Sequence, residues 1–240
     1  MSPLSLVTGG TRGIGAAVAL RLAAEGHDLV LGYHRDDEAA EATAAKVRAH
    51  GVNCRPVRAD VTDAAGVDAL FDSAEGRLTG VVSNAGATLH VGDLAETPVE
   101  VVRQVVDLNL TAAILVARRA VQMLERGGVL VNVSSSAATL GAPHEYVHYA
   151  AAKAGVDALT RGLAEEVAPR GIRVVGVAPG IVRTGIHAGA GDPGRLERVG
   201  QRVPLGRVGE PEEVAEAVAW LMSDACSYAT GATLRVAGGR

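Results

Sequence analysis

The chain reads Thr8-Gly9-Gly10-Thr11-Arg12-Gly13-Ile14-Gly15 directly after its first apolar run, Leu4–Thr8, and directly before its first helical pattern. Glycine lets a backbone turn sharply and lets a ligand approach the main chain closely. The helix that follows offers unpaired N–H groups and the positive end of a helix dipole. The stretch therefore predicts a strand, a tight turn and a helix that bind the diphosphate of a nucleotide. A turn that needs glycine only for its shape is the alternative, because the spacing differs from the common Gly-x-Gly-x-x-Gly.

Composition excludes several classes of protein. The 240 residues include 23 basic and 27 acidic side chains, and aromatic residues make up 2%. Without a basic stretch or an aromatic surface, we expect no nucleic acid and no membrane as a partner. No apolar run is long enough to cross a bilayer, and no secretory signal is visible at the N-terminus. Cys54 and Cys226 are isolated, which favours buried thiols and a cytoplasmic protein. The seven His residues lack metal-ligand spacing, so we expect no metal.

Short apolar runs alternate with helical patterns along the whole chain. This alternation requires right-handed crossovers and predicts an α/β fold, a doubly wound seven-stranded parallel sheet with helices on both faces. We expect one domain over residues 1–240. The predicted strands are Leu4–Thr8, Asp28–Tyr33, Val52–Val57, Leu78–Ser83, Val129–Ser134, Ile172–Ala178 and Thr233–Val236. The predicted helices lie near Ile14–Glu25, Asp37–Ala49, Ala64–Ala74, Val99–Leu124, Ala150–Ala168 and Pro211–Met222.

One segment, Gly185–Gly200, interrupts this alternation. It is rich in glycine, contains Pro193 and separates the sixth strand from the last helix. Long irregular segments in compact domains often act as lids. We therefore expect residues 184–202 to form a substrate lid, with a variable surface loop as the alternative.

Tyr149 and Lys153 are four residues apart, so on a helix they share one face. A phenol has a pKa of about 10 in water, and a neighbouring ammonium lowers that pKa by favouring the phenolate. Tyr149 could then give a proton to a carbonyl oxygen or take one from an alcohol. A surface tyrosine beside a solvated lysine is the alternative.

Further motifs follow the predicted strands in a fixed order. They are the glycine turn at 8–15, Asp60-Val61, Asn84-Ala85-Gly86, Asn109, Tyr149-Ala-Ala-Ala-Lys153, and Pro179-Gly180 with Thr184. Together they resemble the short-chain dehydrogenase/reductase family in its compact form, whose fold is of the Rossmann type. The resemblance is closest to the 3-oxoacyl carrier-protein reductase-like and glucose-dehydrogenase-like members. It departs from the family at Ala178, where Asn or Arg is common.

The resemblance implies both a catalytic set and a cofactor site. The catalytic residues would be Asn109, Ser135, Tyr149 and Lys153. The cofactor-binding residues would be Gly9, Thr11, Arg12, Gly13, Ile14, Gly15, Tyr33, His34, Arg35, Asp60, Val61, Asn84, Ala85, Gly86, Tyr149, Lys153, Pro179, Gly180, Ile181, Val182 and Thr184.

Three details of the catalytic set stay open at this point. Counting from the fifth strand selects Ser135, whereas counting back from Tyr149 selects Ser136; we favour Ser135. Asn109 would bend its helix and hold a water beside Lys153, the alternative being a core asparagine bonded to the backbone. His144 and Tyr146 are expected to form pocket wall.

The end of the second predicted strand bears on the choice of cofactor. An acid there favours NAD(H), and a base favours the 2′-phosphate of NADP(H). The strand end reads Tyr33-His34-Arg35, and Arg12 lies in the glycine turn, so two guanidinium groups could face a phosphate. We expect NADP(H), with NAD(H) as the alternative because Asp36 and Asp37 could offset Arg35.

These observations predict an NADPH-dependent oxidoreductase that reduces the carbonyl of a ketone or aldehyde to an alcohol in a reversible reaction. One alternative is an NAD-dependent alcohol or sugar dehydrogenase. The other is a non-catalytic dinucleotide-binding sensor, which the complete catalytic set disfavours. The partners would be a small-molecule carbonyl or alcohol and further copies of the chain, because the resemblance implies a homotetramer or homodimer.

Overall fold

The computed structural model describes residues 2–240, apart from the side chains of His187 and Ala188. Its strands are β1 (Leu4–Thr8), β2 (Asp28–Tyr33), β3 (Cys54–Arg58), β4 (Leu78–Ser83), β5 (Val129–Val133), β6 (Arg173–Pro179) and β7 (Thr233–Val236). They form one parallel sheet in the order β3-β2-β1-β4-β5-β6-β7. The predicted α/β fold with a Rossmann-type, doubly wound sheet is therefore confirmed.

The connections between strands are mostly helical. The helices are α1 (Gly13–Ala24), α2 (Asp37–Arg48), α3 (Ala64–Asp72), α4 (Val99–Val106), α5 (Ala112–Met123), α6 (Ala137–Leu140), α7 (Val147–Val167), α8 (Ile186–Gly189), α9 (Arg195–Gly200) and α10 (Pro211–Met222). A π-helical turn, Asp107–Thr111, joins α4 to α5.

Helices pack on both faces of the sheet because the central strands β1, β4, β5 and β6 present apolar side chains to both. In β1, Val7 joins the core beneath α1, α2 and α10, whereas its neighbour Leu6 joins the core beneath α3, α5 and α7. Strands buried on both faces read as continuous apolar runs, which is why the sequence located them. Phe71 is the largest apolar side chain among the fully buried ones; valine, leucine and alanine build most of the core.

The topology opens a crevice at one edge of the sheet. The chain runs from β1 outward to β2 and β3, and then returns to place β4 on the other side of β1. The segments that follow β1 and β4 therefore separate at the carboxyl ends of these strands, which is where open α/β sheets bind ligands. The glycine turn lies at this edge.

The bounds of β3, β5, β6 and most of the helices differ by a few residues from the predicted ones, and two segments differ in kind. The single helix expected over Val99–Leu124 is interrupted by the π-helical turn, because Asn109 donates its side-chain Nδ2–H to the carbonyl oxygen of Val105 at 2.9 Å. The segment Gly185–Gly200 was expected to be irregular, but it contains α8 and α9. Contacts with residues distant in sequence stabilise α9, and no local sequence pattern could predict these contacts.

Candidate active site

The turn after β1 depends on its glycines. Gly9 and Gly13 have φ angles of 61° and 51°, in the left-handed region that residues with a Cβ avoid. A Cβ at Gly15 would lie 2.1 Å from the carbonyl oxygen of Gly9, a distance at which no side chain fits. The main chain of the turn consequently packs against the start of α1 with no side chain in between.

The N-terminus of α1 is suited to an anion. Arg12, the N-cap residue, makes no side-chain hydrogen bond to the first turn of α1. The first N–H groups of a helix need partners, and the helix dipole favours negative ones. Asn84 supports the turn from β4, since its Nδ2 donates to the carbonyl oxygens of Thr8 and Gly9 at 3.0 and 3.1 Å. The residues present therefore fit the diphosphate of a dinucleotide.

A cavity of about 820 Å³ runs along this edge of the sheet, from the glycine turn to the start of α7. Its volume lies within the range of small-molecule sites. Most of the predicted site residues line it: Gly9, Arg12, Gly13, Ile14, Asn84, Ala85, Gly86, Ser135, Tyr149, Lys153, Pro179, Gly180, Ile181, Val182 and Thr184. Thr11 and Gly15 do not, because both are buried beneath the turn.

The residues predicted to contact the adenosine lie outside this cavity. Tyr33 donates its hydroxyl to Asp37 at 2.8 Å, and Nε2 of His34 lies 3.7 Å from a carboxylate oxygen of Asp60. Asp60 accepts hydrogen bonds from the hydroxyl and backbone N–H of Thr62, which lower its pKa. Val61 is buried in the core beneath α3. Tyr33, His34 and Asp60 thus surround the ends of β2 and β3.

Two arginines flank the end of β2. Arg12 forms an exposed ion pair with Asp36, with Nη2 and Oδ2 3.4 Å apart. Asp36 is also the N-cap of α2, where it accepts a hydrogen bond from the backbone N–H of Ala39. Arg35 is exposed and forms no ion pair with the described residues. The end of β2 therefore carries cationic groups, one of them partly neutralised.

Tyr149 lies in the first turn of α7 and is 7% exposed. Burial raises the pKa of its phenol, whereas a hydrogen bond with the Ser135 hydroxyl acts in the opposite direction. Nζ of Lys153 lies 5.7 Å from the centroid of the Tyr149 ring, and burial lowers the pKa of Lys153 to about 8. The Tyr149 pKa is thus raised in the protein by itself, not lowered as expected from Lys153, because desolvation is the largest effect on it.

Asn109 and Lys153 meet above Gly86. The Nδ2 group of Asn109 donates to the carbonyl oxygens of Ala87 and Val105 at 2.8 and 2.9 Å. Its Oδ1 atom is buried and has no hydrogen-bond partner among the described residues. A Cβ at Gly86 would lie 2.6 Å from this Oδ1 and 3.3 Å from Nζ of Lys153. Glycine at this position leaves the two polar atoms facing the same small space.

The three serines after β5 point in different directions. The hydroxyl of Ser135 lies close enough to the Tyr149 phenol to lower its pKa, and it accepts a hydrogen bond from the backbone N–H of Ala137 at 3.2 Å. The hydroxyl of Ser134 instead donates to the carbonyl oxygen of Lys153 at 3.2 Å. Ser136 is the N-cap residue of α6. The geometry thus favours Ser135, the serine predicted by counting from the end of the fifth strand, over Ser136.

The end of β6 closes the other side of the cavity. A Cβ at Gly180 would lie 2.7 Å from Cα of Ala237, so β6 and the chain after β7 pack closely here. The Thr184 methyl would lie 3.3 Å from a Cβ at Gly13, which brings this segment against the glycine turn. Ala178, the residue that departs from the family pattern, does not line the cavity.

The sequence did not single out Glu145 and Arg195 as a pair in the cavity wall, and the position predicted for His144 is wrong. Glu145 and Arg195 line the cavity and form an ion pair at 2.6 Å. They lie 50 residues apart, so no local pattern connects them. Tyr146 lines the cavity as predicted, but the expectation for His144 is wrong: its exposed ring pairs with Asp93 at 2.9 Å and lies outside.

The described part of the chain contains no group of three or more His, Cys, Asp or Glu side chains that could hold a metal ion. None of its helices is both long and apolar enough to cross a membrane.

Comparison with known proteins identifies the family. A model described as enoyl-(acyl carrier protein) reductase, which represents short-chain dehydrogenases/reductases, matches residues 9–240. The chain belongs to the short-chain dehydrogenase/reductase family. As a member of this family it is an oxidoreductase that acts on CH–OH and carbonyl groups.

Three curated relatives from this short-chain dehydrogenase/reductase family align with almost the whole chain. The uncharacterized oxidoreductase YgfF of Escherichia coli is 41% identical over 99% of both chains. The 3beta-hydroxysteroid dehydrogenase 1 of Eggerthella lenta is 43% identical over 98% of this chain and 92% of its own. The 3-oxoacyl-[acyl-carrier-protein] reductase FabG of Staphylococcus aureus is 37% identical over 100% of this chain and 98% of its own.

Solved structures agree with this assignment. A short-chain dehydrogenase from Burkholderia cenocepacia in complex with NADP has a TM-score of 0.91 and 32% identity, over 99% of this chain and 97% of its own. A blue fluorescent protein from a metagenomic library in complex with NADPH has a TM-score of 0.91 and 33% identity, with the same coverage.

Proposed function

We propose that this short-chain dehydrogenase/reductase uses NADPH to reduce a ketone or aldehyde to an alcohol, in a reversible reaction. The observation that carries the proposal is the grouping of Ser135, Tyr149 and Lys153 on the wall of the cavity that begins at the glycine turn. When bound, the dinucleotide supplies the hydride, for which protein side chains have no equivalent.

Tyr149 is the proton donor in this proposal. Because burial raises the pKa of its phenol, the phenol is protonated at neutral pH and can donate to a carbonyl oxygen. The hydroxyl of Ser135, which lies close enough to the Tyr149 phenol to lower its pKa, holds the same carbonyl oxygen beside it. In the reverse direction, Tyr149 accepts the proton of the alcohol.

Lys153 and Asn109 return the proton to Tyr149. The pKa of Lys153, lowered to about 8, leaves both its ammonium and its amine populated near neutral pH. Its Nζ is held by a hydrogen bond to the carbonyl oxygen of Val133 at 2.9 Å. A water between this Nζ and the Oδ1 atom of Asn109 would complete the route, with Gly86 providing the space.

The preference for NADP(H) rests on charge. The end of β2 has Tyr33 in place of an acid, and Arg12 and Arg35 lie on either side of it. Guanidinium groups bind phosphate through charge-assisted hydrogen bonds. Asp36 neutralises part of Arg12, so we assign Arg35 the larger share of the preference. The two solved relatives that hold NADP and NADPH support this assignment by similarity.

The proposed substrate is a carbonyl compound with an apolar body. Beyond Tyr149 the cavity wall includes the apolar residues Ala137, Leu140, Ala142, Pro143 and Ile186, and charged groups also line the cavity at Arg202, Arg240 and the Glu145–Arg195 pair. Two relatives have names that state a hydroxysteroid and a 3-oxoacyl group, each with its oxygen on a carbon within an apolar skeleton. The segment at residues 184–202, which includes α9, would act as the lid.

We further propose that the chain assembles as a homotetramer or homodimer. Large apolar side chains are exposed on several elements: Val99 on α4, Ile114 on α5, Trp220 on α10 and Leu234 on β7. The molar mass measured by size exclusion with light scattering tests this proposal. The cytoplasmic location remains a prediction from the sequence.

A panel of carbonyl compounds tests the proposed reaction. Cyclohexanone, acetophenone, ethyl acetoacetate and a 3-ketosteroid are each mixed with NADPH or NADH, and cofactor absorbance is followed. We expect turnover with NADPH and about a hundredfold or greater loss in Tyr149→Phe, with NADPH binding unchanged by fluorescence titration. Turnover retained in Tyr149→Phe would remove this residue from its role. Preference for NADH would favour the NAD-dependent dehydrogenase, and cofactor binding without turnover of any carbonyl or alcohol would favour the sensor.

A further inference from the structure

An ion pair between buried Arg195 and partly buried Glu145 joins the proposed lid to the loop before Tyr149. Arg195, the first residue of α9, is 2% exposed. Its Nη1 and Nη2 groups donate to the two carboxylate oxygens of Glu145 at 2.8 and 2.6 Å. A bidentate pair of this kind fixes both side chains in one relative geometry. Because a buried guanidinium without a partner is costly, the position of α9 depends on Glu145.

Arg195 also reaches Tyr149 through one intervening ring. Its Nη2 donates to the hydroxyl of Tyr146 at 2.9 Å, and its guanidinium carbon lies 5.0 Å from the centroid of the Tyr146 ring. The Tyr146 ring in turn packs against the Tyr149 ring, with centroids 5.5 Å apart and planes at 87°. This edge-to-face geometry is preferred by aromatic pairs. The orientation of Tyr149 is therefore restricted by contacts that begin at α9.

The loop that carries Glu145 and Tyr146 needs such contacts. Ala142 and His144 have φ angles of 45° and 60°, which residues with a Cβ rarely adopt. Strained conformations persist only where the surrounding structure holds them. One such contact is the hydrogen bond from the backbone N–H of Gly92 to the carbonyl oxygen of Glu145 at 2.8 Å. The ion pair to Arg195 is a second, and it is the one that comes from the lid.

We propose that Arg195 is a positioning residue for the reaction. By holding Glu145 and Tyr146, it sets the orientation of Tyr149 and keeps α9 packed over the substrate end of the cavity. Its effect on turnover rests on the proposed function, whereas its effect on α9 is measurable without any turnover.

The same helix offers a matched control. Arg198 also lies on α9, and its Nη2 group pairs with Asp192 at 2.5 Å. Its side chain is 58% exposed, and this ion pair stays within the segment 184–202. Arg198→Met therefore makes the same chemical change on the same helix while leaving the bidentate contact between Arg195 and Glu145 in place.

The experiment combines hydrogen exchange, NADPH titration and kinetics with the ketone of the panel that the wild type reduces fastest. In Arg195→Met we expect about tenfold faster exchange of the amides at 195–203 and 142–149, and kcat lower by about tenfold or more. NADPH affinity should stay within about twofold of wild type, because the glycine turn is untouched. Glu145→Gln should show the same changes in amide exchange and kcat. The double variant Glu145→Gln/Arg195→Met should lose no more kcat than Arg195→Met alone.

Two further variants separate positioning from simple stability. Tyr146→Phe keeps the ring contact and loses only the bond to Arg195, so kcat should fall by about threefold with exchange at 195–203 unchanged. If Arg195→Met does not fold, Arg195→Lys is used, which keeps the charge but not the bidentate contact. We then expect faster amide exchange and lower kcat, both by smaller factors.

The proposal is overturned if Arg195→Met or Arg195→Lys folds and retains wild-type exchange and kcat, or if Arg198→Met causes equal losses. Losses that simply add in the double variant would also overturn it. Should the wild type reduce no ketone of the panel, the proposed function fails, and exchange at 142–149 in the folded arginine variants still decides whether Arg195 holds the loop.

Discussion

Replacing Gly86 with alanine tests the space shared by Asn109 and Lys153. The new Cβ would lie 2.6 Å from Oδ1 of Asn109 and 3.3 Å from Nζ of Lys153. An ordinary C···O contact is about 3.3 Å, so the Cβ and Oδ1 must separate by about 0.7 Å. Asn109 is 1% exposed and held by two hydrogen bonds, so its side chain cannot turn aside. The shift must fall on the Asn109–Lys153 pair or on the Gly86 backbone.

The expected size of the effect follows from that displacement. Misplacing catalytic groups by about 1 Å costs about a hundredfold in rate, so we expect kcat to fall by about 30–100-fold, or about 2–3 kcal/mol in activation free energy. Overpacking should also lower the free energy of unfolding by about 1–3 kcal/mol. Steady-state kcat with NADPH and a panel ketone, NADPH titration and urea denaturation measure these quantities.

Gly162→Ala is the matched control, because this glycine lies on α7 and a Cβ there meets nothing within 4 Å. We expect unchanged kcat and a gain of up to about 1 kcal/mol in stability, since alanine favours the helix. A folded Gly86→Ala variant whose kcat stays within threefold of wild type would refute the reasoning about the shared space.

Three further predictions concern the cofactor and the proton. Gly15→Ala places a Cβ 2.1 Å from the Gly9 carbonyl oxygen. NADPH binding, measured by fluorescence, should therefore be lost or weakened by at least about tenfold. Retained affinity in a folded variant would contradict the assignment of the turn as the diphosphate site. The pKa of Lys153 is lowered to about 8, so its ammonium is lost above that pH. We therefore expect kcat/KM for carbonyl reduction to decline above pH 8 with the loss of one proton. A flat profile from pH 6 to 10 would show that this lysine does not supply the proton. Arg35→Ala should raise KM for NADPH by about tenfold, from loss of a charge-assisted contact, and leave KM for NADH unchanged; equal changes for both cofactors would contradict a contact with the 2′-phosphate.

Local sequence was sufficient for the elements that bury themselves on both faces. The bounds predicted for β1, β2 and β4 agree residue for residue with the observed strands, because continuous apolar runs between turns have few other ways to be buried. The bounds of the edge strand β7 also agree, although none of its side chains is buried. The glycine turn and the Tyr149–Lys153 pair were also visible, since each lies within one short stretch whose geometry is that of a single turn or a single helix.

The bend at Asn109 was suggested by the family resemblance and not by local pattern. Apolar periodicity runs unbroken through Val99–Leu124, and the π-helical turn arises from contacts of one side chain with Val105 and with Ala87 of another segment. The pKa of Tyr149 is a similar case. Its direction depends on burial, which spacing along a helix does not report.

What the sequence by itself determined is the order and location of the strands, the glycine turn and the residues that gather at the carboxyl edge of the sheet. Only the tertiary structure decided which serine lies beside Tyr149, which residues line the cavity, and that Arg195 is held by Glu145. The physical reason is separation along the chain. Hydrophobic periodicity and turn chemistry act within a few residues, whereas burial and charge pairing join groups 50 residues apart only after the sheet has formed.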